Sequence, residues 1–194
     1  MVLVLLLDQL SKFYIKTHFS YGEEYEIFNW FMLKFVENPG MAYGVEFGGM
    51  FGKLLLSVLR IFLIGGIAWY VWTNLPKHRN NYFQVGMALV LAGAIGNLID
   101  GLFYGMIFDS GLTWNAETGT WQAYSGVAQA DFSGYSGFLK GAVVDMLYFP
   151  LFRVPESIPL IGGKEFFSYI FNVADSAITV GGAIILFFRK KVFG

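Results

Sequence analysis

Asp8, Asp100, Asp145 and Asp175 each lie inside or beside an apolar stretch of the chain. A carboxylate at membrane depth costs about 2.5–3.5 kcal/mol on insertion scales, so it is rarely placed there without a task. The tasks open to a set of such groups are acid–base catalysis, a proton relay or an ion path. Asp175 is the clearest, in the run SYIFNVADSAITVGGAIILFF, which is long enough to cross a bilayer. Asn172 precedes it by three positions, so on a helix the amide can orient the carboxylate or a substrate. Asp145 sits in GAVVDMLYFP, an apolar run too short to span. If that segment lies at the interface and packs against the outer part of the last helix, the two carboxylates face each other. Two carboxylates sharing a desolvated site do not both ionise comfortably, and one keeps a proton. The ionised member then acts as general base on a water attacking a peptide carbonyl, while the protonated member polarises that carbonyl. The roles reverse as the leaving amine is protonated. Such a pair titrates jointly and requires neither metal nor cofactor.

The other polar residues in apolar settings read more plainly. Lys12 follows Asp8 by four positions, so on a helix they share one face and can pair. That spacing suits a structural ion pair and a substrate contact near the outer mouth equally well. Asn38 opens Asn-Pro-Gly in ENPGMAYG, where turn chemistry alone accounts for it. Asn97 and Asp100 lie three apart in GAIGNLIDG, a spacing that suits hydrogen bonding between helices. The absence of cysteine excludes disulfides and thiolate chemistry, and His18 and His78 alone give a histidine metal site or Ser–His dyad little support. A net charge of −1 offers nothing to nucleic acid.

The elements that must position these groups are membrane helices. The chain is 56% hydrophobic and only 14% charged, against about 25% charged in soluble domains. The expected fold is an α-helical integral membrane protein, one domain over 1–194, with transmembrane helices near 1–18, 53–73, 82–104 and 168–189. The first run lacks a basic n-region and a small-residue cleavage site, so it is read as a retained helix rather than a signal peptide. Lys77 and Arg79 between the second and third helices, with Arg189, Lys190 and Lys191 at the end, place both termini in the cytoplasm. The segment near 19–52 is then extracytoplasmic, and its aromatic and branched residues suit a small β-sheet cradle at the membrane surface. Residues 105–140, rich in Gly, Ser, Thr and Trp, form a long outer loop, and 141–167 an interfacial segment. A small proton- or ion-coupled transporter is the rival reading of the carboxylates, but no internal repeat of the kind many transporters carry is present.

Taken in order, LDQLSK at 7–12, ENPGMAYG at 37–44, GNLID at 96–100, GAVVDML at 141–147 and FNVADSAITVG at 171–181 resemble the lipoprotein signal peptidases (signal peptidase II). The resemblance spans nearly the whole chain, and FNVADS is its most distinctive piece. It implies an aspartyl endopeptidase of the bacterial cytoplasmic membrane that removes the signal peptide from diacylglyceryl-modified prolipoproteins, cutting before the lipidated cysteine. It carries the catalytic roles onto Asp145 and Asp175, and supporting or substrate-contact roles onto Asp8, Lys12, Asn38, Gly40, Asn97, Asp100, Asn172 and Ala174. Membrane lipids as surroundings and the peptide antibiotic globomycin as an inhibitor are implied as well. Two departures stand out. The family commonly carries arginine directly after GNLID, where this chain has Gly101. Arg60 in the second helix is expected at the depth of Asn97 and Asp100, either supplying that cation or snorkelling to the headgroups. The 105–140 loop is longer than in compact members, and either covers the substrate entrance or is a surface insertion.

Overall fold

The computed structural model describes residues 1–40, 48–74, 80–158, 162–163 and 165–193. The apolar runs become helices α1 (Val2–His18), α2 (Gly49–Asn74) and α3 (Asn81–Ile99). α3 continues through a π-helical turn at Asp100–Tyr104 into the short α4 (Gly105–Ile107). After the sheet strands come α5 (Val173–Phe187) and α6 (Arg189–Phe193). Among the described residues, α2 and the continuous helix Asn81–Ile107 are long and apolar enough to cross a membrane. α1 buries three charged residues, Asp8, Lys12 and Lys16, and α5 has 15 residues, short of the roughly 20 needed for a straight span.

α3 and α5 form the most extensive helix contact, with α1 packed on both and α2 flanking α3. The close approach depends on missing side chains. A Cβ on Gly93 would stand 2.2 Å from the Ala174 carbonyl oxygen, and one on Gly181 would stand 2.6 Å from that of Gly86. Small residues let helix backbones meet this way where lipid offers no hydrophobic drive. α2 instead exposes large apolar side chains, Phe62 and Trp72 among them.

At one end of the helices lies an antiparallel sheet of β1 (Glu24–Phe28), β2 (Phe31–Asn38), β5 (Val143–Tyr148) and β8 (Ile170–Phe171), in that spatial order. Hairpins β3 (Thr113–Asn115) with β4 (Thr120–Gln122), and β6 (Phe152–Arg153) with β7 (Glu165–Phe166), stand apart from it. Successive side chains on a strand point to opposite faces. One face of the sheet therefore sends Phe35, Val144 and Met146 into a core with Ile15, Tyr104, Phe108 and Ala128. Asp145, registered against Val36, points the other way.

Two expectations change. The segment expected to be interfacial holds β5, which pairs with β2 on one side and β8 on the other, so Asp145 lies on a central strand. The fourth helix starts at Val173 rather than 168, because Ile170 and Phe171 are spent on β8 and Asn172 caps the helix. Asp175 is thus in the first turn, nearer the sheet than a helix starting at 168 implies. The long loop is folded. Phe132, Tyr135 and Ser136 donate backbone bonds of 2.8–2.9 Å back to Ile107, Phe108 and Gly105, and Trp114 and Trp121 meet edge to face at 5.4 Å across β3 and β4. Lys77, His78, Arg79 and residues 41–47 lie outside the described residues.

Candidate active site

The site is built on the start of α5. Asn172 is its N-cap: the side-chain oxygen accepts the Asp175 N–H at 2.9 Å, and the Asp175 carboxylate accepts the Asn172 N–H at 3.4 Å. This reciprocal capping box satisfies two helix-end donors at once. The Asn172 amide nitrogen then donates to Asp145 Oδ1 at 2.7 Å, with Asn97 Oδ1 at 3.1 Å and the Val144 carbonyl at 3.2 Å also in reach. Asn97, on α3, donates to Asp175 Oδ1 at 2.8 Å. Each carboxylate of the pair is therefore held by an asparagine amide, and the two amides are bonded to each other.

Beneath them sits a buried cation. Lys12 Nζ donates to Asn97 Oδ1 at 2.8 Å and pairs with Asp8 and Asp100, each at 2.9 Å. Asp8 also accepts the Ala174 N–H at 2.8 Å, so α1 helps cap α5. A Cβ on Gly96 would fall 2.5 Å from Asp8 Oδ2, which explains a glycine there. Asp100 opens the π-helical turn and accepts the Val144 N–H at 3.3 Å, tying the turn to the strand that carries Asp145. One chain of bonds thus joins Asp8, Lys12, Asn97, Asp100, Asn172 and Ala174 to both carboxylates. Asn38, at the end of β2, lines the same cavity as Asp145 and Asp175. Its side chain accepts the Gly40 N–H at 2.9 Å, and Gly40 has φ 109°, a conformation that favours glycine.

Burial pushes the Asp145 carboxyl up to about 8, with the nearby Asp175 charge adding to it, while Lys12 and the Asn172 bond pull the other way. At neutral pH Asp145 keeps the proton. The Asn97 amide and the Asn172 N–H converge on Asp175 at the N-terminus of α5.

Several residues enter that the sequence reading passed over. Gln9 donates to Asp8 at 3.0 Å and to Asp100 at 2.9 Å, and accepts from the Tyr104 hydroxyl at 3.3 Å. Lys16 pairs with Glu37 in a second buried ion pair and donates to the Ser110 carbonyl at 2.9 Å, while Glu37 accepts the Leu112 N–H at 2.7 Å. Glu37 is adjacent to Asn38 on β2 and registers with Val144, so the long loop binds the sheet face opposite Asp145. None of its described residues lines the cavity that holds the two aspartates. On α2, Lys53 donates to the carbonyls of Gly141 at 2.7 Å and Pro39 at 3.2 Å. Arg60, half-buried on the same helix, makes no ion pair within 4 Å among the described residues, and its strongest electrostatic partners are Asp175, Asp145 and Asp100. Gly101 lies in the π-helical turn, and a Cβ there would stand 3.9 Å from the Gly141 carbonyl oxygen that Lys53 occupies.

The model of the signal peptidase (SPase) II family matches residues 1–189. This chain belongs to the signal peptidase II family. It is 39% identical over 193 residues to the lipoprotein signal peptidase of Porphyromonas gingivalis, covering 95% of this chain and 78% of that one. The lipoprotein signal peptidase of Amoebophilus asiaticus is 32% identical over 197 residues, covering 97% and 75%. Two solved bacterial membrane enzyme structures share the fold, each with a TM-score of 0.61, at 21% and 22% identity. They cover 98% and 97% of this chain, and it covers 84% and 88% of theirs. This signal peptidase II chain brings a buried carboxylate, Asp145, together with a half-buried one, Asp175, where two elements distant in sequence meet.

Proposed function

We propose that Asp145 and Asp175 are the catalytic pair of an aspartic endopeptidase that removes signal peptides from diacylglyceryl-modified prolipoproteins, cutting before the lipidated cysteine. The observation that carries this reading is the bonding of both carboxylates to one asparagine, Asn172, at the polar end of a cavity of about 870 Å³. Asp175, ionised, takes a proton from water as that water attacks the scissile carbonyl. Asp145, protonated, donates to the carbonyl oxygen to give a gem-diol; as the C–N bond breaks, the proton taken by Asp175 passes to the leaving amine and Asp145 recovers its own from a gem-diol hydroxyl. Asn97 and Asn172 hold the two carboxyls so that the exchange needs little rearrangement, with Lys12 fixing Asn97 from below.

The same reading places the protein in the bacterial cytoplasmic membrane with four spans, both termini cytoplasmic, lipid around it and the pair near the extracytoplasmic face. It makes globomycin an inhibitor. It assigns Arg60 to the developing or product negative charge, because Arg60 is largely withdrawn from water and feels the charges of Asp175, Asp145 and Asp100. Family membership disfavours the transporter reading of the carboxylates.

Purified protein reconstituted with a lipid-modified precursor tests the assignment. Asp145→Asn and Asp175→Asn are each expected to abolish cleavage in a folded protein, and robust turnover by either variant would refute the pair. Arg60→Gln is expected to lower kcat, and unchanged kinetics with unchanged stability would remove it from the site.

A further inference from the structure

Phe167 has φ 65°, a left-handed conformation that a bulky aromatic residue rarely adopts. Strain of this kind persists only where the surroundings impose it. Here the β6–β7 hairpin does so. Phe152 and Phe166 stack at 4.6 Å, the Tyr148 hydroxyl donates to the Glu165 carboxylate, and Phe167 meets Phe171 edge-on at 6.0 Å. The result is a ring 45% exposed on the wall of the cavity that contains both aspartates.

That cavity changes character along its length. Asn38, Asp145 and Asp175 supply its polar end. Away from them the walls are Phe166, Phe167 and Tyr169 on one side, and Thr179 and Val180 of α5 on the other. Thr179 lies one helical turn beyond Asp175, about 6 Å along the axis, and Val180 is 51% exposed on the apolar flank of α5. The backbone of α5 is bonded within the helix, so this wall gives a peptide no backbone hydrogen-bond partners, only the Ser176 and Thr179 hydroxyls. A hydrocarbon chain needs none, whereas an unpaired peptide group there is penalised.

We propose that the Phe166–Tyr169 lip and the Thr179–Val180 wall form the subsite for an acyl chain of the lipid-modified substrate, with Phe167 as its specificity-determining ring. The proposal rests on the prolipoprotein reading above. Continuity between the cavity and the apolar flank of α5 lets the chain enter sideways from the bilayer while the lipidated residue reaches the carboxylates.

The test uses full-length protein in lipid nanodiscs and synthetic lipopeptide substrates that share one peptide and differ only in acyl length. Phe167→Gly removes the ring and suits the backbone, so the fold is kept. It is expected to raise KM for the long-chain substrate about tenfold, to leave kcat within about twofold, and to erase the preference for long over short chains. An equal rise for both substrates would assign the lip to the peptide, and no change would remove it from the site. A second arm maps cross-links from a diazirine at the acyl terminus, with excess diazirine-free phospholipid as competitor. Labelling at residues 166–169 and 179–180 supports the subsite, and labelling confined to α1 or α2 overturns it. Labelling there without any cleavage by the unaltered protein would keep the subsite and overturn the protease reading instead.

Discussion

Replacing the Asp145 carboxyl by a neutral isostere is expected to stabilise the protein, and only at high pH. The native carboxyl is pushed from 3.8 up to about 8, chiefly by burial and then by Asp175. In the unfolded chain it ionises near its ordinary value. Between about pH 4 and pH 8 the unfolded state therefore holds fewer protons than the native state, and stability falls as pH rises. Below this window both states are protonated and the contribution is complete; above it the contribution is lost. A shift of about four units at about 1.36 kcal/mol each sets a ceiling of about 5 kcal/mol. Local relaxation and water penetration leave only part of this ceiling, roughly 2–3 kcal/mol. For a chain of this size each kcal/mol moves the midpoint about 2–4 °C. Asp145→Asn is thus expected to melt about 5–10 °C above the unaltered protein at pH 8.5, and within about 2 °C of it at pH 4.5. Thermal melting of the two proteins in the same detergent, across that range, is the assay. A difference independent of pH, or one that grows as pH falls, would refute the burial argument.

Other perturbations follow from the same bonds. Asn172→Ala removes the cap of α5, worth about 1 kcal/mol, and the bond that lowers the Asp145 pKa; because the acid must stay protonated, the alkaline limb of kcat/KM is expected to move to higher pH. A limb that stays in place or moves down would contradict the role given to Asp145. Lys16→Met leaves Glu37 buried without its cation and is expected to cost about 3–5 kcal/mol in thermal or denaturant unfolding; adding Glu37→Gln should restore part of the loss. Gly96→Ala places a methyl group 2.5 Å from Asp8 Oδ2 and should lower the melting midpoint and cleavage together. Gly66→Ala, with nothing within 4 Å, should be neutral or stabilising by up to about 1 kcal/mol, as melting curves would show.

How much of this was legible in the chain depended on the range of each interaction. The Asp8–Lys12 pair is local, four residues apart on one helix, and spacing alone suggests it. Continuing that spacing reaches Lys16, whose partner Glu37 lies on a strand and so has no periodic signature. The convergence of Lys12 with Asn97 and Asp100 is likewise set by helix packing, which spacing within one segment does not encode. The start of α5 was misplaced because hydropathy is continuous through SYIFNV, yet Asn172 followed three residues later by Asp175 is a capping signal. VVDMLY carries branched and apolar residues that suit a strand, but its brevity and its position before a proline hid its central place between β2 and β8. Lys53, Ser57 and Arg60 repeat at helical spacing along α2, a polar stripe visible in sequence. What it faces was set by the fold.

The bond from the Ala174 N–H to Asp8 has a consequence for how the protein is made. On the four-span reading proposed above, α1 enters the bilayer with Asp8, Lys12 and Lys16 on board, yet most of the groups that satisfy them belong to segments synthesised later. Asn97 and Asp100 arrive with α3, and the Ala174 amide arrives only with the last apolar helix. Until then these charges are stabilised by interfacial water or by each other. Completion of the charged network is therefore tied to the synthesis of α5, and a chain stopped before it lacks both Asp175 and the helix end that Asp8 caps.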